Sequence, residues 1–307
     1  MKHAVITGPT GVVGISLMEE LTANKVEVTA VCRPGSVNAK RIPALPGVRI
    51  VYCALNDMVH LPDAVGKPAD VMFHFGWEGT YGADRDDLYA QNRNVEYTMD
   101  AVKAAARLGC TVFIGAGSQA ECGRVEGKIS PDTPCNPMTA YGAAKLSACH
   151  MGRLQCRQYG IRHNWLRILS MYGPYDKEYT MIMTGIRRLL AGERPKYTKG
   201  EQLWDYIYSK DAARAFYLTA LFGRENALYC LGSGKPRLLK DYIYAIRDAV
   251  NPNLPIGIGE LDYYPNQVMK LWADISSLQE DTGFAPQYSF EEGIAQTVQW
   301  ARSHPQI

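Results

Sequence analysis

The chain has 307 residues, of which 47% are hydrophobic and 21% charged, and its 33 Lys and Arg residues nearly balance its 31 Asp and Glu residues. This composition excludes a disordered chain, and a formal net charge of +2 lacks the basic excess of nucleic-acid-binding proteins. The longest stretch without an acidic or basic residue, at positions 3–18, is too short to cross a bilayer. We therefore expect a cytoplasmic protein with neither a membrane nor a nucleic-acid partner.

The eight cysteines show no spacing typical of a metal site or a redox motif. No two of them form C-x-x-C, and no histidine follows at the spacing of a zinc ligand. Free cysteines mostly behave as small hydrophobic residues. We predict buried or half-buried free thiols, and no bound metal.

In the first half of the chain, short hydrophobic runs alternate with amphipathic stretches, as is typical of a parallel sheet covered by helices. Runs such as VMFHF and TVFIG are hydrophobic throughout, as expected of strands buried on both faces. The predicted strands span residues 3–7, 27–32, 49–52, 71–75, 111–115 and 163–168, and the predicted helices residues 12–23, 87–108 and 139–159. The order predicts an α/β fold with a doubly wound parallel sheet.

The pattern changes after Tyr172, where Tyr172-Gly173-Pro174 predicts a turn. Beyond it, helices are predicted at residues 179–191, 210–221, 239–250 and 290–303, and one short strand at residues 204–208. We predict a domain boundary at this turn, with residues 1–172 as the main domain and residues 173–307 as a smaller C-terminal α/β lobe. Some segments of the lobe are expected to return to the main sheet.

The loop after the first strand carries glycines at positions 8, 11 and 14. Such glycines let the backbone turn sharply and approach a pyrophosphate, and the next helix points its free N–H groups at the phosphates. The spacing is G-x-x-G-x-x-G rather than the commoner G-x-G-x-x-G. Its place between a strand and a helix favours dinucleotide binding over a mere tight turn. The predicted cofactor-binding residues here are Gly8, Thr10, Gly11, Val12, Val13 and Gly14.

Arg33 follows the second strand, at the position that selects between the two nicotinamide dinucleotides. An acidic residue here would accept hydrogen bonds from the ribose 2′-hydroxyl of NAD, whereas a guanidinium pairs with the 2′-phosphate of NADP. Arg33 therefore favours NADP(H). NAD(H) is the alternative if this side chain is only a solvated rim residue.

Tyr141 and Lys145 are four residues apart in a predicted helix and therefore share a face. A lysine in the same pocket is expected to lower the pKa of Tyr141 from its usual value of about 10 and make it a general acid or base. Ser118 comes just after the fifth strand, at the sheet edge where doubly wound folds bind ligands. We predict that Ser118, Tyr141 and Lys145 are catalytic. A second Y-x-x-x-K, at Tyr206 and Lys210, lies in a strand-like run and is expected to serve packing.

With these residues the chain resembles the extended short-chain dehydrogenases/reductases of the NAD-dependent epimerase/dehydratase family. The resemblance implies a Rossmann-type dinucleotide-binding domain and a C-terminal lobe that closes on a nucleotide sugar. It also implies a homodimer formed through two long helices, here residues 87–108 and 139–159. The residues that carry it are residues 7–14, His74, Asn94, Val95, Ser118, residues 137–145, residues 172–174, residues 204–208 and residues 290–293.

The resemblance further implies roles for single residues. Ser118 would hydrogen-bond the sugar oxygen, Tyr141 would exchange its proton, and Lys145 would hold the nicotinamide ribose. Leu55 and Phe75, which follow the third and fourth strands, occupy cofactor-binding positions of the family.

One departure from the family pattern concerns the reaction. Dehydratases of the family carry an Asp-Glu pair directly after the catalytic Ser or Thr, whereas this chain has Gln119 and Ala120. Neither side chain is an acid or a base, so dehydration is not expected.

Two other features concern the substrate. Trp204 stands where many members have an arginine that binds the substrate diphosphate. Arg187, Arg188 and Lys196 are either its replacements or solvated surface residues. The segment at residues 77–87, rich in aromatic and charged residues, is either a substrate lid or a surface connection.

Three functions follow from these residues. The first is an NADP(H)-dependent ketoreductase of a 4-keto nucleotide sugar, in which Tyr141 supplies the proton and Ser118 polarises the carbonyl. The alternative is a nucleotide-sugar 4-epimerase that retains NAD, which Arg33 disfavours. The third is a dinucleotide-sensing protein without turnover, which the intact Tyr141 and Lys145 disfavour.

Overall fold

The computed structural model describes residues 1–305. Hydrophobic, often β-branched runs form strands, and segments with one apolar face form helices. In chain order the strands are β1 (His3–Thr7), β2 (Glu27–Cys32), β3 (Val48–Tyr52), β4 (Val71–His74), β5 (Val112–Ser118), β6 (Gly127–Ile129), β7 (Arg162–Ile168), β8 (Met171–Tyr172), β9 (Leu203–Trp204), β10 (Ile207–Tyr208), β11 (Leu228–Leu231), β12 (Arg237–Leu238) and β13 (Lys270–Ala273). The α-helices are α1 (Val12–Ala23), α2 (Leu61–Val65), α3 (Leu88–Arg107), α4 (Ala140–Gln158), α5 (Met181–Leu190), α6 (Ser209–Phe222), α7 (Leu239–Val250), α8 (Ser276–Thr282) and α9 (Phe290–Ser303).

Seven parallel strands form the main sheet, in the order β3-β2-β1-β4-β5-β7-β11. Helices α1 and α6 pack together, as do α3 and α4. Successive side chains of a strand point to opposite faces of the sheet. Each face carries a hydrophobic cluster, and Ile6 belongs to the cluster on one face and Val5 to the cluster on the other. Strand β1 is buried along its whole length because both of its faces are covered by helices. The predicted α/β fold with a doubly wound parallel sheet is confirmed.

This topology places a crevice between β1 and β4. The chain adds β2 and β3 on one side of β1 and then returns to add β4 on the other side. The loops that follow β1 and β4 therefore run in opposite directions, and doubly wound folds bind their ligands at such a switch point. Gly8 follows β1, Phe75 follows β4, and Ser118 ends β5, so the three residues lie along one edge of the sheet.

A smaller sheet, in the order β12-β9-β13-β6, and helices α5, α7 and α9 lie largely in the C-terminal part of the chain. Strand β11 and helix α6 come after position 172 yet join the main sheet and its helical layer, whereas β6 comes before it and joins the small sheet. The chain therefore crosses between the two parts more than once. The division into residues 1–172 and 173–307 stays a prediction.

One predicted strand is wrong. Residues 204–208 form not one strand but the ends of β9 and β10, which belong to different sheets. The chain turns at Asp205, whose buried carboxylate accepts hydrogen bonds from the backbone N–H groups of Ser233, Gly234 and Ala273 at 2.8 to 3.1 Å. A carboxylate held inside by three N–H groups interrupts the strand pairing that the hydrophobic run predicts.

Across residues 1–305, no helix combines the length and the hydropathy needed to cross a membrane.

Candidate active site

The glycine loop after β1 is too tightly folded for other residues at two positions. Gly8 has a φ of +66°, and a Cβ there would lie 2.7 Å from the carbonyl carbon of Phe75. A Cβ on Gly14 would lie 2.7 Å from the carbonyl oxygen of Gly8. Gly11 is the N-cap of α1, whose first turn contains no acidic residue. The positive end of the helix is therefore free to face an anion.

A cleft extends from this loop along the sheet edge to β2. Arg33 is exposed at its far end, close to Ser36 and Asn38, and Leu55 provides an apolar wall. The cradle of glycine backbone at one end and a guanidinium with two polar side chains at the other fit a dinucleotide. The residues that line the cleft are Thr7, Gly8, Pro9, Thr10, Val31, Cys32, Arg33, Ser36, Asn38, Cys53, Leu55, Gly76, Trp77 and Glu78.

Three other predicted cofactor-binding residues lie at the glycine loop but do not line the cleft with their side chains. Val12 and Val13 form the first turn of α1, and the Val13 side chain is buried in the core, so it offers a ligand only its backbone. The Phe75 ring packs edge-on against Phe216, with ring centroids 4.8 Å apart. Phe75 therefore faces the glycine loop with its backbone only.

A hydrogen-bonded network joins the ends of β1 and β4. The Thr7 hydroxyl accepts from the N–H groups of Phe75 and Gly76 at 3.2 and 3.0 Å and lies 2.9 Å from Nδ1 of His74. Burial lowers the pKa of His74 to about 3. His74 is therefore neutral at ordinary pH. Its hydrogen bond to Thr7 connects β4 to β1, and we assign it a structural role rather than that of an acid.

Ser118 is positioned by a buried carboxylate. Its N–H group donates to Glu121 at 2.8 Å, and its hydroxyl accepts from the N–H of Ala120 at 3.2 Å. Glu121 is fully buried and also accepts from Trp165 Nε1 and Arg167 Nε, each at 3.0 Å. Since the hydroxyl already accepts a backbone N–H, its proton faces a second acceptor, either the neighbouring Tyr141 oxygen or a ligand oxygen.

Tyr141 and Lys145 lie on one face of α4 beside Ser118, as predicted. Lys145 is buried, and its ammonium donates to the carbonyl of Ala116 at 2.9 Å. The same ammonium lies 3.6 Å from the Trp77 ring centroid and 5.8 Å from the Tyr141 ring centroid. The structure thus brings the three predicted catalytic residues together at the carboxyl edge of the main sheet.

The predicted effect of Lys145 on Tyr141 is wrong. Burial raises the pKa of Tyr141, and the opposing influences are a hydrogen bond with Ser118 and the charge of Arg85 rather than Lys145. Burial also lowers the pKa of Lys145 to about 7, although the charge of Glu121 opposes the change. Tyr141 is therefore a neutral phenol at neutral pH, ready to donate a proton.

Three residues of this site escaped the sequence-based prediction: Trp77, Arg85 and Glu121. Trp77 and Arg85 belong to the 77–87 segment, which was predicted only as a possible lid, and their contacts with Tyr141 and Lys145 arise from tertiary folding. Glu121 could have been found, because Ser-x-x-Glu is the spacing of a helix-capping box.

A second cavity lies on the C-terminal side, between α5, α7 and the loops around them. Of the three candidate replacements for the diphosphate-binding arginine, Arg188 and Lys196 line it, together with Trp204 and Tyr179. Arg187 does not line it, since it pairs with a nearby glutamate and donates to a backbone carbonyl of α9.

Other predicted features are structural. Tyr206 is packed edge-on against Tyr242 at 5.0 Å, and Lys210 bonds Gln296, so this second Y-x-x-x-K serves packing. The eight cysteines are free thiols, and all except Cys135 are buried. Within residues 1–305, no group of three or more His, Cys, Asp and Glu side chains is arranged to hold a metal ion.

Comparison with known proteins agrees with this architecture. A family model described as the NAD dependent epimerase/dehydratase family matches residues 4–232. A dTDP-glucose 4,6-dehydratase from Xanthomonas campestris pv. campestris is 30% identical over 183 residues, which are 57% of this chain and 52% of that protein. UDP-N-acetylglucosamine 4-epimerase from Methanobrevibacter ruminantium M1, solved with UDP-N-acetylmuramic acid, has a TM-score of 0.86 at 24% identity over 98% of both chains. The dTDP-glucose 4,6-dehydratase of Streptomyces venezuelae, solved with NAD and TYD, has a TM-score of 0.83 at 22% identity over 98% of this chain and 97% of that one.

The chain belongs to the NAD-dependent epimerase/dehydratase family, because the family model matches well over half of its residues. The predicted resemblance and the Rossmann-type fold are confirmed. The chain spans about half the length of the curated relatives it matches. These comparisons do not support the expectation against dehydration, since the matched relatives include dehydratases.

Proposed function

We propose that this protein is an NADP(H)-dependent ketoreductase that acts on a 4-keto nucleotide sugar. The observation that carries the proposal is the convergence of Ser118, Tyr141 and Lys145 beside a cleft that ends at Arg33. Among the described residues that line this cleft, Glu78 is the only acidic one, and it follows β4 whereas Arg33 follows β2. Arg33 therefore meets no carboxylate that would repel a 2′-phosphate there.

Each residue has a distinct role in the reduction. The Ser118 hydroxyl donates a hydrogen bond to the carbonyl oxygen, which stabilises the negative charge that develops there. Tyr141 transfers its phenolic proton to that oxygen, and its raised pKa keeps the proton in place until then. Lys145, when charged, binds the ribose hydroxyls of the cofactor. Bound NADPH would supply the hydride that goes to the carbonyl carbon.

The residues after Ser118 favour a reductase or an epimerase over a dehydratase. Removing water from a sugar needs an acid and a base, whereas Gln119 and Ala120 provide neither. The next residue, Glu121, is fully buried and held by Trp165 and Arg167, so its carboxylate is not free to transfer protons.

We also propose that the protein is a homodimer formed through α3 and α4.

The experiment is a turnover assay with three substrates. Purified protein is incubated with NADPH and dTDP-4-keto-6-deoxyglucose, with NAD and UDP-glucose, and with NAD and dTDP-glucose. We expect NADPH oxidation that depends on the keto sugar, and a fall of about 10²- to 10⁴-fold in kcat for Tyr141→Phe with unchanged NADPH affinity. UDP-galactose formation without net redox change would establish the epimerase instead, and a 4-keto-6-deoxy product from dTDP-glucose would establish a dehydratase.

A further inference from the structure

The segment at residues 77–87 lies directly over the predicted catalytic residues. The Trp77 ring covers the ammonium of Lys145 at 3.6 Å and meets the Tyr141 ring edge-on at 6.0 Å. Asp86 accepts a hydrogen bond from the N–H of Ala140 at the start of α4, at 3.3 Å. The segment is thus fixed to the helix that carries Tyr141 and Lys145 and forms one wall of the active site.

The outer part of this segment contacts the C-terminal part of the chain. The rings of Tyr81 and Tyr179 stack with centroids 3.5 Å apart, and Lys177 donates a hydrogen bond to the Thr80 hydroxyl. Tyr179 also lines the second cavity, which lies on the C-terminal side. The 77–87 segment therefore spans the distance from Tyr141 to the cavity where the rest of a substrate would extend.

Arg85 is the cation that this segment presents to the site. Its guanidinium carbon lies 4.5 Å from the centroid of the Tyr141 ring, and the side chain is half-buried. Within residues 1–305, no carboxylate oxygen lies within 4.0 Å of its nitrogen atoms. Of the neighbouring acids, Asp86 bonds Ala140 and Asp87 caps α3, and the exposed Asp84 forms no ion pair with Arg85.

The Tyr141 ring offsets part of the hydration that this half-buried guanidinium loses, but a ring face takes up none of its in-plane N–H donors, which stay free for an anion. Lys177 is a second cation near this segment, since its ammonium donates a hydrogen bond to the Thr80 hydroxyl. Its pKa is lowered mainly by burial and to a smaller extent by the charge of Arg85, whereas Asp176 opposes the change. The planar fork of Arg85 matches the two oxygens of a carboxylate or a phosphate.

We propose that Arg85 binds an anionic oxygen group of the substrate at the active site. The inference rests on the proposed function, since it assumes that a nucleotide sugar reacts at Tyr141. Two parts of such a substrate carry this chemistry: the diphosphate, and a carboxylate on the sugar ring. Arg85 thereby selects anionic substrates and orients the sugar over Tyr141.

The test measures binding by titration calorimetry, with the protein saturated with its preferred dinucleotide. The probes are UDP-glucuronate, UDP-glucose and free UDP, and the variants are Arg85→Gln, Arg85→Lys and the control Arg157→Gln, which changes an exposed arginine of α4. We expect Arg85→Gln to weaken binding by about 10- to 100-fold, Arg85→Lys to recover part of the affinity, and Arg157→Gln to leave it unchanged. Equal melting temperatures of the variants would show that they are folded.

The three probes distinguish the sources of the anion. A loss confined to UDP-glucuronate identifies a sugar carboxylate, and an equal loss for all three probes identifies the diphosphate. Unchanged affinities in Arg85→Gln, with the wild-type protein binding the probes, would overturn the role of Arg85 and leave the proposed function intact. If the wild-type protein binds none of the probes, the role of Arg85 fails, and the turnover assay with dTDP-4-keto-6-deoxyglucose decides the proposed function separately.

Discussion

Lys145 is buried and Tyr141 is half-buried close to it, and the loss of hydration changes their pKa values in opposite directions. It raises the pKa of Tyr141 and lowers that of Lys145 to about 7, because it disfavours the charged form of each group. Near neutral pH the phenol therefore keeps its proton and the ammonium is partly deprotonated. This arrangement suits proton donation to a substrate oxygen, and it costs stability, because a buried lysine loses its hydration.

The stability cost of Lys145 is testable. Its pKa is about 7 in the folded chain and 10.5 ordinarily, so the penalty is full below pH 7 and disappears as the pH rises through 10.5. We expect Lys145→Met to raise the free energy of unfolding by about 0.5–2 kcal/mol at pH 7 while abolishing turnover. Denaturant unfolding from pH 6 to pH 10 measures the gain, which should shrink as the pH rises.

The matched control is Lys40→Met, which changes an exposed lysine. Its free energy of unfolding should change by less than about 0.5 kcal/mol at each pH. A Lys145→Met protein less stable than the wild type at pH 7 would show that the contacts of the ammonium with Ala116 and Trp77 outweigh its lost hydration.

Among the structural elements, the glycine loop after β1 packs directly against the backbone at the end of β4. A Cβ on Gly8 would lie 2.7 Å from the Phe75 carbonyl carbon, so a side chain there must push the loop away from β4. We expect Gly8→Ala to weaken dinucleotide binding by at least about tenfold, or roughly 1.4 kcal/mol, as measured by calorimetric titration. The variant should also lower the melting temperature.

Gly160→Ala is the control for this change. Its φ of +67° is nearly that of Gly8, but nothing lies within 4 Å of the added Cβ. It should therefore show only the backbone cost, about 1–2 kcal/mol of stability, and bind the dinucleotide normally. If both variants bind equally well, the close approach of Gly8 and Phe75 does not shape the cofactor site.

The sequence predicts the bounds of several elements well, because local patterns encode them. Strand β1 and helices α1, α7 and α9 begin and end where hydrophobic periodicity places them, and Gly11 and Ser289 mark the starts of α1 and α9. Spacing and position at the sheet edge indicate Ser118, Tyr141 and Lys145, which the fold brings close together, and their catalytic role stays a prediction. The Asp205 turn was missed, because its partners Ser233 and Ala273 are distant in sequence.

The active-site wall was missed for the same reason. Nothing local indicates that Trp77 covers Lys145 or that Arg85 stacks on Tyr141, since these pairs are more than fifty residues apart. The direction of the Tyr141 pKa change was also mispredicted. Spacing on a helix identifies which side chains share a face, but it does not give the degree of burial that decides the pKa.

At the scale of the whole molecule, α4 presents an apolar face to solvent. Met151 and Leu154 are 45% and 57% exposed and lie one turn apart on the helix. Such a face on one of the two long helices favours the proposed homodimer. We expect Leu154→Glu to convert a dimer into a monomer, as measured by light scattering during size-exclusion chromatography. Phe222→Glu, at a residue of α6 that is also 57% exposed, should remain dimeric. A wild-type monomer would contradict the proposal.

The most direct test of the account is the identity and affinity of the dinucleotide. The purified protein is denatured, any released dinucleotide is identified, and the emptied protein is titrated with NADPH and NADH, in the wild-type and Arg33→Ala forms. We expect NADPH to bind at least about tenfold more tightly than NADH, roughly 1.4 kcal/mol, and Arg33→Ala to remove the preference. Release of tightly bound NAD, with no preference for NADPH, would contradict the reductase and favour the 4-epimerase.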